Sequence, residues 1–433
     1  MKRLIYLSSA LALVTSLVFV GGRTYAAHQG QTRTTLNVKL CVGAPIGIPS
    51  NRHLVQGIYN GVDLATRYQR AKFRRIKVNL VRPVLMDYAK SDGSGNDPNK
   101  ARSDALSCIN DRSVYGYVGT LNSSIALVVE PVLNKAGMVM VSPSNTNPTL
   151  TSPRFRASQE PLTYRHTIPY PTYYRVVTTD IIQGAAGATF LKNQLGVRRY
   201  FLVDDKQTYG AGLAEGVRNY ANRLGLQVVG TGHIDPTDSS TITSSSSAVA
   251  DQVGPSNADA VYYAGNLETG YTFVKDLRRA GYTKPIMGGD AIVDELWVKN
   301  VGSRGSTRNY ATSVGPKIES ANLVFRNLYR RTFPGTALGP YDALSWDAAN
   351  IIYNAIYLAA VQGKLRSGNM MQRRLSVVRN VRFTHHSGAT GTNSFDKNGD
   401  TKNQIVSYYR VSGSTWAYLA RAPRIAGLTP AGT

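Results

Sequence analysis

The stretch Val114-Tyr-Gly-Tyr-Val118-Gly119-Thr-Leu-Asn-Ser-Ser124-Ile-Ala-Leu-Val-Val-Glu-Pro-Val-Leu-Asn-Lys135-Ala-Gly-Met138-Val-Met-Val-Ser142 decides the fold. An apolar, β-branched and aromatic run over residues 114–118 stops at Gly119. A helical pattern follows over 124–135, and a second apolar run over 138–142 reads as another strand. Strand, helix and strand in close succession predict a parallel pair with a crossover helix, the repeating unit of an α/β sheet.

The same alternation extends upstream. Leu36-Asn-Val-Lys-Leu-Cys-Val42 reads as a strand, and Leu54, Ile58, Val62 and Ala65 lie at helical spacing. A strand is expected over 76–84. Asp97-Pro98 places an N-cap before a proline at the first helical position.

After Asp180 the pattern begins again: helix 185–195, strand 200–203, helix 211–224, strand 227–230, strand 260–263, helix 271–280 and strand 285–287. The Ser/Thr-rich segment 235–247 reads as a surface loop entering a helix near Ala248. Helices are expected at 322–332, 341–362 and 369–378, and a last strand at 404–411. Two successive series imply two lobes of similar build, and the late helices imply that the chain returns to the first. No exact internal repeat is visible. A chain of this size is expected to divide its core in two.

Lys2 and Arg3 precede an apolar run from Leu4 to about Val20, followed by small residues at Thr24-Tyr25-Ala26-Ala27. That is the pattern of a secretory signal cut after Ala26, residues 1–26, with an uncleaved anchor as the other reading of the run. No Cys stands at the cleavage point, so a lipid-anchor signal is not expected. The 50 Lys and Arg against 26 Asp and Glu give a formal charge of +24. These cations are scattered in ones and twos without a nucleic-acid motif, so a solvated basic face is expected and no nucleic-acid partner. Cys41 in a strand and Cys108 near a helix end are either bridged or two small core residues. Without a clustered His pattern a structural zinc site is not expected, and no cofactor or metal is foreseen.

Ligands of parallel α/β sheets sit beyond the C-terminal strand ends. There, Gly119-Thr-Leu-Asn-Ser123-Ser124 offers hydroxyls together with the N–H groups of a helix start, which suits an anion such as a carboxylate; a plain Ser N-cap explains the turn equally well. Ser142-Pro-Ser144-Asn145-Thr146-Asn-Pro148 ends the adjacent strand with further hydroxyls and amides. In the second series Tyr209 follows Asp204-Asp205, where its ring and hydroxyl could close over a solute, and Asp290 follows a strand where it could neutralise an ammonium. Each alone is also an ordinary cap or surface group.

The order Gly119…Ser123, Ser142-Pro-Ser-Asn-Thr-Asn-Pro148, Asp180-Ile-Ile-Gln-Gly184, Asp204-Asp-Lys-Gln-Thr-Tyr-Gly210, Tyr341-Asp-Ala343 and Ser394-Phe-Asp-Lys-Asn-Gly-Asp400 resembles the branched-chain amino-acid (Leu/Ile/Val)-binding proteins, which are type I periplasmic binding proteins of ABC transporters. The resemblance runs over about residues 36–415. It implies two doubly wound Rossmann-like lobes joined by three hinge crossings, with residues 36–176 plus 316–398 in the N-terminal lobe, 177–315 plus 399–420 in the C-terminal lobe, and 421–433 as a tail.

It further implies that Ser123 and Thr146, with the backbone around Ser144 and Asn145, hold a carboxylate, that Tyr209 covers the ligand, and that Asp290 takes the amino group. Where relatives binding leucine-like ligands carry an aromatic after the Val261-Tyr-Tyr263 strand, this chain has Asn266-Leu267, a departure bearing on side-chain preference. An expanded segment over 152–174, rich in Tyr, Pro and Arg, precedes the first crossing.

The implied function is extracytoplasmic capture of an amino acid or similar small polar solute by hinge closure, about crossings near 174–179, 311–316 and 396–401, with a membrane permease as partner and a monomeric state. The alternatives are a ligand-sensing receptor without transport and a small-molecule amide or acid hydrolase. Gly-x-Ser-x-Gly and phosphate-cradling fingerprints are absent, His385-His386 reads as a loop or surface pair, and Asp396-Lys-Asn-Gly-Asp400 lacks the glutamate of a calcium loop.

Overall fold

The computed structural model describes residues 34–152, 168 and 170–428, so the expected signal over 1–26 and most of the 152–174 expansion lie outside the described residues. The chain runs β1 (Leu36–Gly43), α1 (Arg52–Arg74), β2 (Val78–Leu80), β3 (Val84–Met86), α2 (Pro98–Asn110), β4 (Val114–Gly119), α3 (Ser123–Lys135), β5 (Val139–Ser142) and β6 (Tyr173–Arg175). It continues through α4 (Asp180–Asn193), β7 (Arg199–Asp204), α5 (Thr208–Arg223), β8 (Gln227–His233), α6 (Ser239–Val253), β9 (Ala260–Ala264), α7 (Leu267–Arg279), β10 (Ile286–Gly288), α8 (Glu295–Val301) and β11 (Asn309–Ser313). Last come α9 (Leu323–Thr332), α10 (Asp342–Val361), α11 (Met370–Arg382), the small β12 (His386–Ser387) and β13 (Thr392–Asn393), and the hairpin β14 (Ser407–Ser412) and β15 (Thr415–Arg421).

Two large sheets result. The first has the order β2-β1-β4-β5-β6, with β3 also on β1, so β2 and β3 act as one broken strand. The second has the order β15-β14-β11-β10-β9-β7-β8. Its β14 and β15 run antiparallel at one edge, and its other pairs are parallel. Each sheet reverses its winding direction once, between β1 and β4 in the first and between β7 and β9 in the second, the arrangement that opens a crevice at the strand ends.

Both faces of each sheet are covered, so alternate residues of one strand enter different cores. Leu40 and Val42 meet α1, α10 and α11 through Ile58, Ile352 and Val377, whereas Cys41 meets α2 and α3 through Ala105 and Val129. Likewise Phe201 and Val203 face Phe273 and Trp297, and Tyr200 and Leu202 face Phe190 and Leu213. Helices α4 and α5 pack with backbones almost in contact, because a Cβ at Gly184 would strike Val217 N and one at Gly216 would strike Asp180 O. Cys41 and Cys108 are joined in a disulfide, which settles the alternative left open above.

Several expectations need correction. The strand expected over 76–84 is broken at Val81-Arg82-Pro83, where proline has no N–H to donate to a ladder. The Ser/Thr-rich segment is not a loop: α6 begins at Ser239, started by a capping box in which Asp238 accepts from Thr241 N while the Thr241 side chain returns to the Asp238 backbone. Strand β11 takes the start of the expected 311–316 crossing, so the chain leaves the second sheet only after Ser313.

The chain passes between the sheets three times, after β6, after β11 and after β13. Arg175 fastens the first passage to the third: its Nε donates to Asp400 Oδ1 at 2.6 Å with both groups buried, and its Nη1 donates to the carbonyls of Asn145 (3.1 Å) and Asn147 (2.7 Å). Replacing Arg175 by Met strands the Asp400 carboxylate in the interior. The expected cost is about 3–5 kcal/mol, read as a lower urea midpoint at unchanged slope.

Candidate functional site

Both crevices open onto one cleft of about 530 Å³, open solvent included, lined by Asn51 and Leu54 after β1, Leu121 to Ser124 after β4, Ser144 after β5, Gln207 and Tyr209 after β7, Asn266 and Leu267 after β9, Asp290 and Ala291 after β10, and Tyr341 before α10. Five of the seven expected site residues meet there: Ser123, Ser144, Tyr209, Asn266 and Asp290. Asn145 and Thr146 lie outside this lining.

Asn145 is occupied with the fold. Its Nδ2 donates to the carbonyls of Thr120 (2.8 Å) and Leu121 (3.0 Å), and its Oδ1 accepts from Tyr173. Thr146 is fully buried; its carbonyl accepts from Asp180 N, and its hydroxyl stands by the Asp180 carboxylate. Ser144 Oγ reaches the same two carbonyls at 3.0 and 3.2 Å, so the turns after β4 and β5 are stitched into one wall. Asn122, not Ser123, caps α3, which leaves Ser123 in the first helical turn with its Oγ 3.5 Å from Asn147 N.

The opposite wall centres on Asp290, which is 2% exposed. Its Oδ1 accepts from Gln183 Nε2 (2.8 Å) and from the Tyr209 hydroxyl (2.9 Å), and its Oδ2 accepts from the Tyr341 hydroxyl (2.7 Å). Tyr209 reaches it because residue 289 is glycine, where a Cβ would strike the Tyr209 hydroxyl. Gln183 is held in turn by Thr312 Oγ1. No ion pair forms at Asp290 among the described residues. Burial raises its carboxyl above the usual carboxylate range, against the pull of the three donors. Asp180 nearby is raised well above that range by burial and by the field of Asp290, against the Thr146 hydroxyl and Arg175.

Gln183 and Tyr341 were not foreseen as site residues. Gln183 lies inside α4 and Tyr341 just before α10, neither in a turn directly past a strand of the two sheets, and only the Tyr341-Asp-Ala343 and Asp180-Ile-Ile-Gln-Gly184 motifs marked their neighbourhoods. Tyr341 belongs to the chain returning to the first sheet, so its bond to Asp290 spans the cleft. A second spanning contact joins Asn147 Nδ2 to Thr208 O.

Below Asn266 lies Asp205, fully buried and pushed up to about 6 by burial against several N–H donors. Its Oδ2 accepts from Asn266 N (2.8 Å) and Nδ2 (2.9 Å), and Gln207 Nε2 lies 3.5 Å from it. Beyond Asn266 the cleft adjoins a wider hollow of about 1150 Å³, open solvent included, that reaches Lys90 and Glu268. No cluster of metal-ligating side chains occurs among the described residues, and none of their helices is long and apolar enough to cross a membrane.

His53 of α1 approaches Asp294, the cap of α8, with Nδ1 3.4 Å from Oδ2. The bond to Asp294 raises the imidazole above its ordinary value against the effect of burial, and the charges of Asp294, Asp342 and Glu295 add to the rise. A raised imidazole contributes stability that is complete below pH ~6.5 and is lost as the pH climbs through the raised value. The difference in unfolding free energy between the protein and His53→Gln is expected to be up to about 1 kcal/mol larger at acid than at alkaline pH; urea titrations at both ends check it.

A family model described as periplasmic binding protein matches residues 87–415. The amino acid binding protein of Pseudomonas aeruginosa is 25% identical over 201 residues, covering 46% of this chain and 48% of that one. The Leu/Ile/Val-binding protein BraC3 of Rhizobium johnstonii is 27% identical over 264 residues, covering 60% and 65%. The match thus spans between about half and two thirds of these relatives' lengths. The crystal structure of a leucine binding protein from Thermotoga maritima superposes with a TM-score of 0.72 at 23% identity, covering 89% of this chain and 98% of that one, a likeness of fold.

Proposed function

The chain belongs to the periplasmic binding protein family, and from that premise we propose that it is the solute-capturing component of an ABC importer, closing its lobes around an amino acid outside the cytoplasm. The observation that carries this reading is Asp290, a buried carboxylate with hydroxyl and amide donors but no cation, facing a wall of hydroxyls and a helix start. A zwitterion supplies what each wall lacks. Its ammonium pairs with Asp290, and its carboxylate lies at the N-terminus of α3 by Ser123 and Ser144, where unpaired N–H groups favour an anion.

Closure follows from contacts available only when the walls meet. Tyr341 and Asp290 come from different lobes, so a solute neutralising Asp290 adds to the closed state alone and shifts the population toward it. The flexing segments are assigned to residues 174–179, 314–316 and 396–401, between lobes at 36–176 plus 316–398 and at 177–315 plus 399–420. Export with removal of residues 1–26, a monomeric state and delivery to a membrane permease complete the reading. The names of the relatives make aliphatic amino acids the first solutes to try.

Calorimetry with amino acids tests the assignment. Asp290→Ala is expected to weaken binding of a zwitterion by about 2–5 kcal/mol, and unchanged affinity would remove Asp290 from the site. Because burial raises the Asp290 carboxyl in the empty protein, amino-acid affinity is expected to fall as the pH drops through that raised value, with protons released on binding in the same window. Enthalpies compared in buffers of different ionisation heat read that release, and pH-independent binding without it would count against the ammonium pair.

A further inference from the structure

We propose that the solute is an amino acid whose side chain ends in a primary carboxamide, read by Asn122 from one lobe and by Asn266 with Gln207 from the other. The inference rests on the amino-acid reading of the cleft and deepens it. The three residues line both the cleft and the wider cavity beside it, so they form the boundary that a side chain anchored at Asp290 and α3 would meet.

The polarity of each amide at that boundary is fixed from behind. The Tyr88 hydroxyl accepts from Leu121 N at 3.0 Å, so its single proton goes to Asn122 Oδ1, 3.2 Å away. Asn122 is left to present its NH₂ group. Across the cleft the arrangement is reversed. Asp205 is an acceptor, and it takes the Asn266 backbone N–H and Nδ2 on one oxygen, with Gln207 Nε2 at 3.5 Å from the same atom. Asn266 and Gln207 are therefore left to present their carbonyl oxygens, and no protein donor reaches Asn266 Oδ1 among the described residues.

One wall thus offers a donor and the other a pair of acceptors. A primary carboxamide matches both, its oxygen accepting from Asn122 and its two N–H bonds directed at Asn266 and Gln207. An aliphatic side chain would strip water from these groups without replacing its hydrogen bonds. A side-chain carboxylate would face two carbonyl oxygens with Asp205 behind them. An ammonium would satisfy the acceptors but leave Asn122 unpaired. The departure at Asn266-Leu267 takes on a physical meaning, because a polar selector stands at the position read above as an aromatic in leucine-binding relatives.

Calorimetry of the purified protein with L-glutamine, L-leucine, L-glutamate and L-lysine tests the proposal. Glutamine is expected to bind at least about tenfold more tightly than the other three. Asn266→Leu is expected to collapse the glutamine-to-leucine ratio toward one. Asn122→Ala, which leaves Asp205 and its donors untouched, is expected to lower the same ratio and serves if the first variant folds poorly. Leucine or lysine binding as tightly as glutamine, or a ratio unmoved in both variants, would overturn the carboxamide assignment and leave the proposed function standing. Failure of glutamine where an amino acid without a carboxamide binds would overturn the carboxamide assignment alone, and failure of every common amino acid to bind would overturn both.

Discussion

A carboxylate enclosed by protein and given hydroxyls and an amide, but no cation, is held in an unfinished electrostatic state. Asp290 is such a group. Three donors lower the cost of its charge without cancelling it, and the carboxylate of Asp180 nearby adds to the strain of keeping both ionised. Under the proposed function, burial around the cleft would make a solute's positive charge worth more there than in water. Exposed to solvent, the same carboxylate would be screened and that gain would be lost.

The two sheets place this group by the same topological device used twice. Each reverses its winding once, and each reversal leaves strand ends diverging over a crevice. The first lobe contributes N–H groups, serine hydroxyls and the Tyr341 hydroxyl, whereas the second contributes the Asp290 carboxylate and the Tyr209 hydroxyl. Under the proposed function this division of chemistry is what suits the cleft to a zwitterion. Arg175 supports the first wall from behind, since the carbonyls it holds belong to the turn carrying Ser144.

Much of this was legible in the sequence because parallel strands buried on both faces read as unbroken apolar runs, as at Leu36 to Val42 and Val114 to Val118. Legibility failed where polarity and burial part company. Strand β11, Asn-Tyr-Ala-Thr-Ser, is polar yet lies inside the second sheet, and α6 opens on a run of Ser and Thr whose helix is set by its capping box and by Ile242, Val249 and Val253 in the core. In the site, Asp290 and Tyr209 were visible as residues just past strand ends. Gln183 and Tyr341 were not, because contacts between residues distant in sequence, within one lobe for Gln183 and across the cleft for Tyr341, leave no mark in local periodicity. Asn145 and Thr146 stand outside the cleft lining for a different reason: a polar strand-end side chain can serve the turn itself.

The cystine joins β1 to α2, two elements of one sheet's surroundings, and touches none of the three passages between sheets. It therefore stiffens one half of the molecule and leaves the other half's conformational freedom as it was. In such a layout a change in thiol chemistry would bear on the durability of that half rather than on the segments that run between the sheets.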